Sequence, residues 1–279
     1  MNEQFLRVKN LTVLFGRKRA VDNLNLEFTF GETVLIAGRN GAGKSTFLRA
    51  LGGLIIPDKG VIEYKGIKRD KIGIITDKMS LFNNMSLKEG IEFHSEIFGI
   101  ESFDYSILEN LELDLNRKIS EFSSGQRAIY HLSLLISQKP ELLLIDEVIY
   151  LIDPYLRDVF LENLIGLIEE SDTAVIMVNH TFSDTGRIPE RVIIMDEGRI
   201  IIDEKREALL GKVKKVFSDK PNKPDLPVFF TKSTPFGYEY FVYPFDERSK
   251  ADKGFQIESI GLNEIIKAFL GGRYVKERD

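Results

Sequence analysis

Residues Thr33 to Ala37 read TVLIA and residues Gly38 to Thr46 read GRNGAGKST, so an apolar run passes straight into a glycine-rich loop with a helical pattern behind it. Strand, loop and helix in that order make a phosphate-binding loop. Gly38, Gly41 and Gly43 let the chain bend so that successive backbone N–H groups turn inward, where side chains would obstruct an anion. Lys44 adds a mobile positive charge for terminal phosphates, and the Ser45 hydroxyl suits a Mg2+ ligand. The helix behind the loop offers unpaired N–H groups and the positive end of its dipole to the same anion. A plain glycine turn beside a surface lysine would share the composition but not the flanking strand and helix.

The chain has 279 residues, 43% apolar and 29% charged, the make-up of one large or two modest folded domains with a real core. A formal net charge of −5 gives no broad basic footprint, so nucleic acid is not an expected partner. With no cysteine there is no disulfide framework, and the polar start lacks the basic-then-apolar pattern of a secretory signal. A cytoplasmic location is the expectation. No apolar stretch nears the ~18 residues of a membrane span, so any membrane process would be served from outside the bilayer.

Phe5 to Leu14 and Val21 to Phe30 alternate in polarity about a turn at Gly16 to Arg19, which predicts a hairpin of antiparallel edge strands. Glu141 to Ile145, Ala174 to Val178 and Val192 to Met195 are nearly continuous apolar runs with helical patterns between or before them, as buried parallel strands of an α/β sheet would be. From Ser86 to Lys139 the apolar spacing is helical, at Ile91, Phe93, Ile97 and Phe98, then Ile107, Leu108 and Leu111, then Ile129, Leu132, Leu135 and Ile136. A helical insertion over about residues 78–139 is expected. The charged tract Asp203 to Asp225, with Pro221 and Pro224, reads as a linker or a solvated helix followed by a loop. Beyond it, Pro227 to Pro244 reads as an aromatic hairpin turning at Pro235 to Gly237, and Leu262 to Leu270 as a helix closed by Gly271 and Gly272. The expected organisation is a phosphate-binding head over 1–210 and a small C-terminal unit over 211–279.

A phosphate cradle needs a way to orient a metal and an attacking water. Leu142 to Glu147 reads LLLIDE, an apolar strand ending in two carboxylates at the edge where α/β sheets hold ligands. Asp146 would hold Mg2+ through water, and Glu147 would polarise the nucleophilic water. His180 follows the run Ala174 to Val178 and could sense a terminal phosphate, although a lone histidine at a strand end is more often an ordinary surface or core residue.

Phe122-Ser123-Ser124-Gly125-Gln126 lies between the phosphate loop and the Asp146-Glu147 strand, as the signature motif does in ATP-binding cassette (ABC) ATPases, and the chain resembles that family. The similarity spans about Phe5 to Leu210: GRNGAGKST, FSSGQ, LLLIDE, the Asp153-Pro154 step, His180 and the run Asp196 to Ile200. It implies an α/β P-loop head with an antiparallel β subdomain and a helical subdomain, followed by a small α+β unit. It further implies ATP and Mg2+ at the residues Gly38, Arg39, Asn40, Gly41, Ala42, Gly43, Lys44, Ser45 and Thr46. Two heads would pair, each ATP held between one loop and the signature Ser123, Ser124, Gly125 and Gln126 of the opposite subunit. Carried over by position, Phe15 resembles the aromatic that stacks on adenine, with an ordinary core aromatic as its competitor. Asp77 stands where the family usually has a Gln near Mg2+, and Asp153 matches the acid that links the two sites. Catalysis would then fall to Glu147, His180 and Lys44, and the metal to Ser45, Asp146 and Asp77.

Three departures from the family pattern have consequences. Ser124 replaces a signature glycine, which crowds a turn meant for close backbone approach, with tolerance expected. Asp77 is shorter than Gln and charged. Val148 to Ile152 replaces a small polar stretch, so the opposed faces near Asp153 are expected to pack more apolarly. The resemblance implies an ATP-hydrolysing subunit that energises separate transmembrane permease subunits from the inner face of the membrane, working as a homodimer or paired ATPase. The stretch Gly261 to Gly272 looks like the extension of ABC-2 type exporters, which tilts the expectation to export. The alternative is a soluble ABC ATPase that drives assembly, such as iron-sulfur cluster biogenesis.

Overall fold

The computed structural model describes residues 4–76, 82–178, 188–246 and 255–271. Its centre is a six-stranded sheet in the order β5 (Ile72–Thr76), β6 (Leu142–Asp146), β7 (Ala174–Val178), β3 (Thr33–Gly38), β8 (Arg191–Asp196) and β9 (Arg199–Lys205). The first five run parallel, and β9 returns antiparallel beside β8 through Glu197 and Gly198, both at positive φ. Every residue of β3, β6 and β7 is buried. Alternate side chains enter different cores: Leu35, Leu143, Val175 and Val192 face one side, while Val34, Leu142, Ile176 and Ile193 face the other. A sheet covered on both faces needs apolar residues at every position, which is why these runs are continuous.

On the second face, α1 (Lys44–Leu51) contributes Phe47, Leu48 and Leu51 to a core shared with a three-stranded antiparallel sheet, β2 (Lys18–Thr29), β1 (Gln4–Phe15) and β4 (Lys59–Tyr64). The hairpin expectation holds, with one correction. β1 is the central strand, paired with β2 on one side and β4 on the other. The missing partner was illegible because the first three residues of β4 are exposed and it carries no alternating apolar signal.

The helical insertion contains α2 (Leu87–Phe98), α3 (Ser106–Asn110) and α4 (Ser124–Gln138); its expected start near residue 78 lies outside the described residues. Ser86 and Glu89 close a capping box at the start of α2, and Gly99 ends it in the left-handed region at φ 64°. α4 serves two cores. Tyr130 and Leu134 join Leu87, Ile91 and Leu108 within the insertion, while Ala128, Ile129, Leu132 and Leu135 pack on the central sheet beside Phe160 and Leu164 of α5 (Pro154–Glu170).

Past β9 the chain forms α6 (Arg206–Lys212), β10 (Lys214–Ser218), β11 (Val228–Thr234), β12 (Gly237–Val242), β13 (Gln256–Ser259) and α7 (Leu262–Gly271). The four strands make an antiparallel sheet in the order β11-β12-β10-β13. The expectation of a linker or a solvated helix followed by a loop over Asp203 to Asp225 holds for the helix α6 and the loop past Ser218, and misses the end of β9 and β10; Leu209, Val213 and Val216 are fully buried. Lysines interleaved with the apolar residues of these short elements raised the local charge and hid the apolar pattern. The expected boundary at 210/211 falls inside α6. Residues on either side of it, Leu209, Val213, Ile265 and Ile266, share the core of Leu35 and Val192. The aromatic hairpin packs inward, with Phe229 stacked on Phe269 at 4.2 Å between ring centres and Phe230 at 5.3 Å from Phe241. The stretch Val148 to Ile152 lies beside Asp153. Val148, Ile149 and Ile152 are 0%, 5% and 1% exposed, folded into their own chain's core.

Candidate functional site

The glycine loop leaves the C-terminal end of β3 and runs into α1, whose N-cap is Gly43 at φ 100° with no side-chain cap. The first amides of α1 therefore lack a side-chain acceptor, as an anion site requires. Two glycines are forced by their neighbours. A Cβ at Gly38 would stand 2.4 Å from the Met195 carbonyl oxygen of β8, and one at Gly43 would stand 1.9 Å from the Ala20 carbonyl oxygen of β2. Gly41, at φ +80°, is different: a Cβ there would meet only the Lys18 ammonium, at 3.8 Å. The loop is further pinned by the β8–β9 turn, where Gly198 N–H donates to the Ala42 carbonyl at 2.9 Å.

Lys44 is 3% exposed. Its Nζ donates to the carbonyls of Gly38 at 2.9 Å and Arg39 at 3.0 Å, and stands 3.9 Å from Glu147 Oε1. Burial pushes its pKa below the ordinary lysine range, against the opposing pull of Glu147 and Asp146. The ammonium thus rests on two carbonyls of the loop. Ser45 Oγ donates to Asp146 Oδ1 at 2.7 Å, joining the start of α1 to the end of β6. Asp146 is 2% exposed, and Arg49 Nη2 of α1 lies 3.6 Å from its other oxygen. Glu147 follows in the left-handed region at φ 53°, with its N–H donating to the Val178 carbonyl at 3.1 Å. That turn carries its carboxylate to the rim of a hollow of about 330 Å³ over the loop, lined also by Phe15, Lys18, Asn40, Gly41, Ser45 and Thr46.

Most of the expected residues meet here, with some exceptions. Phe15 is 56% exposed and lines the hollow, so it is not a core residue. Gly38, Arg39 and Ala42 do not line it. Ala42 is buried, its N–H held by the Arg39 carbonyl at 3.1 Å, and the Arg39 guanidinium donates to the Leu270 carbonyl of α7. Asp77 and His180 lie outside the described residues. None of Ser123, Ser124, Gly125 and Gln126 lines the hollow. Ser123 and Gln126 form a capping box at the start of α4. Ser124 takes the first helical position and is not among the residues at positive φ, so the missing glycine carries no backbone strain there. A Cβ at Gly125 would come within 2.9 Å of Leu156 and 3.5 Å of Asp153 Oδ2. Asp153 is the N-cap of α5, accepting from Leu156 N–H at 3.1 Å ahead of Pro154.

Three participants escaped the sequence reading. Lys18 sits opposite Phe15 in the β1–β2 register and lines the hollow; the available signal was a lysine just past a turn that follows an exposed aromatic. Ala20 buttresses Gly43 by its carbonyl, for which no side-chain signal exists. Arg49 lies five residues after Lys44, more than one helical turn on, and only the placement of β6 beside α1 brings it to Asp146.

The hollow suits a triphosphate with Mg2+. The loop offers uncapped helix amides and an open Gly41, and a serine hydroxyl meets a buried carboxylate beneath it. Among the described residues no group of three or more His, Cys, Asp or Glu gathers for a metal.

A model of the ABC transporter family matches residues 21–149. The energy-coupling factor transporter ATP-binding protein EcfA1 of Bacillus subtilis is 29% identical over 220 residues, covering 71% of this chain and 78% of that protein. The methionine import ATP-binding protein MetN of Carboxydothermus hydrogenoformans is 31% identical over 216 residues, covering 70% of this chain and 64% of that protein. Among solved structures, the dimeric post-hydrolysis state of an ATP-binding cassette bound to ADP and Pi aligns at TM-score 0.62 and 25% identity, covering 72% of this chain and 98% of that one. Phosphate loop, carboxylate strand and relatives agree, and the chain carries an ATPase domain of the ABC transporter family, matched over residues 21–149.

Proposed function

We propose that this chain is the ATP-hydrolysing subunit of a membrane transporter, with the triphosphate on the loop Gly38 to Thr46 and the adenine against Phe15. The single observation that carries the site assignment is the 2.7 Å hydrogen bond from Ser45 Oγ to Asp146 Oδ1 under the hollow, with Glu147 at its rim. Lys44 moves from the Gly38 and Arg39 carbonyls to the terminal phosphates. Ser45 and Asp146 hold Mg2+, which supplies neutralising charge to the phosphate oxygens. Glu147 orients and polarises the attacking water from its left-handed turn. In this reading Asp77 joins the metal and His180 contacts the terminal phosphate.

The signature residues Ser123 to Gln126 stand away from their own hollow, which supports a paired arrangement in which they close the ATP site of a second head and Asp153 links the two. Among the described residues no helix is long and apolar enough to cross a membrane. Separate transmembrane subunits are therefore part of the proposal, with this chain peripheral on the inner face. The export expectation drawn from Gly261 to Gly272 gains no support. One relative belongs to an energy-coupling factor transporter and another is named for import, which favours uptake. We delimit the head as residues 1–210 and the C-terminal unit as 211–279, the two sharing one core.

Binding and turnover test this reading. Lys44→Ala should lose most nucleotide affinity, and Glu147→Gln should bind ATP yet turn over roughly two to three decades more slowly. Sedimentation of the slow variant with ATP should show a raised dimer fraction. Normal turnover in both variants would remove the two residues from the site.

A further inference from the structure

The geometry points to a C-terminal brace on the nucleotide site: Arg39 is a positioning residue that ties the phosphate loop to the end of α7, so that the C-terminal unit sets how tightly the loop holds a nucleoside triphosphate. This rests on the nucleotide reading above. The Arg39 side chain does not line the hollow, and its guanidinium donates to the Leu270 carbonyl in the last turn of α7. The guanidinium carries a full positive charge and the carbonyl is a strong acceptor, so the contact is a charge-assisted hydrogen bond.

The main chain of the same residue is part of the loop's own wiring. The Arg39 carbonyl accepts from Lys44 Nζ at 3.0 Å and from Ala42 N–H at 3.1 Å. When Lys44 leaves for a phosphate, the Arg39 peptide loses a partner while its side chain stays tied to α7. Arg39 therefore couples two things, the state of the loop and the position of α7.

The other end of the brace is fixed. Ile265 and Ile266 are 0% and 1% exposed in the core that includes Leu35 and Ala37 of β3. Phe269 stacks on Phe229 of β11 at 4.2 Å and meets Tyr243 edge-on at 5.5 Å, and a Cβ on Gly271 would come within 3.2 Å of the Phe230 ring. The last turn of α7 cannot shift without the C-terminal sheet shifting too. A displacement of that sheet would then reach the phosphate loop through Arg39, and nucleotide binding would reach the sheet by the same route, since coupling between two sites is reciprocal.

The test uses the full chain as wild type, Arg39→Met, Arg39→Lys, Phe269→Leu and the Arg39→Met/Phe269→Leu double variant. ATP affinity is measured by titration with a fluorescent ATP analogue, and hydrogen exchange is followed over residues 262–271 with and without ATP. Arg39→Met should raise Kd roughly five- to tenfold, the effect of one lost charge-assisted hydrogen bond. Arg39→Lys should recover most of that, and Phe269→Leu should raise Kd by less. The double variant should be no worse than Arg39→Met alone, because both break one path. ATP should slow exchange over 262–271 in the wild type and not in Arg39→Met. Additive effects in the double variant, or exchange over 262–271 indifferent to ATP in the wild type, would overturn the proposal. Lys44→Ala measured alongside separates the two levels. If it binds ATP normally, the nucleotide reading fails; if it alone loses ATP while Arg39→Met keeps both affinity and exchange, only the brace fails.

Discussion

Replacing Gly43 by alanine should do more damage than any other single methyl addition in the phosphate loop, and its size can be worked from two neighbouring facts. Gly43 sits at φ 100°, where an L residue is strained by about 1–2 kcal/mol. Its Cβ would also stand 1.9 Å from the Ala20 carbonyl oxygen, about 1 Å inside the 3.0 Å floor that real Cβ contacts observe. The obstacle is backbone of β2, a strand paired along its length with β1, so it cannot swing aside as a side chain would. Overpacking of this kind adds about 1–3 kcal/mol, for a total near 3 kcal/mol or a displaced loop that no longer holds nucleotide. Two further glycines calibrate the measurement. Gly53, at φ +72° with nothing within 4 Å of a Cβ, should show the strain alone. Gly166, inside α5 with nothing within 4 Å, should gain up to about 1 kcal/mol as alanine from helix propensity. Urea unfolding of the three variants, with ATP titration of each, should rank Gly166→Ala above wild type, then Gly53→Ala, then Gly43→Ala. A Gly43→Ala protein with wild-type stability and affinity would refute the assignment of that glycine to steric necessity.

Acid should weaken the helical insertion. His131 Nδ1 is buried without a hydrogen-bond partner among the described residues, and burial, helped by the neighbouring His94, pushes the pKa of His131 from 6.5 down to about 4. The unfolded chain then binds more protons than the folded one between those values. Stability should fall as pH drops through that window, by up to about 3 kcal/mol, and His131→Leu should flatten the curve in urea unfolding. An unchanged slope would place the acid sensitivity elsewhere. Lys18, opposite Phe15 and lining the hollow, should contribute positive charge to nucleotide binding. Lys18→Ala should raise Kd for ATP about three- to tenfold at low salt and less at high salt, as for a partly exposed charge; a salt-independent loss would point to packing instead.

The legible parts of the fold were those where local chemistry and tertiary use coincide. β3, β6 and β7 are buried at every position and nearly all apolar because both faces are covered, and Gly41 and Gly43 carry the positive φ angles that a bend of this kind demands. Illegible parts were those in which the partner, not the residue, decides. β4 is a strand because β1 has an open side, and β10 is a strand because β12 and β13 flank it, although both look charged in isolation. Val148 and Ile149 look like a surface anomaly beside two carboxylates, and are core because α4 lies across them.

For the site the division is the same. The sequence alone determined which chemical groups would gather: a glycine loop with Lys44 and Ser45, and a strand ending in Asp146 and Glu147, since spacing along one chain suffices to fix a strand-loop-helix and an apolar strand with an acidic end. Only the tertiary structure decided that Ser45 and Asp146, 101 residues apart, share a hydrogen bond, that Lys18 overhangs the loop, and that Arg39 turns away from the hollow to the end of α7. Those contacts depend on where sheets and helices come to rest after burying their apolar faces, and burial energy depends on area and carries no direction. The final placement of a polar side chain is set by which buried partners it finds there.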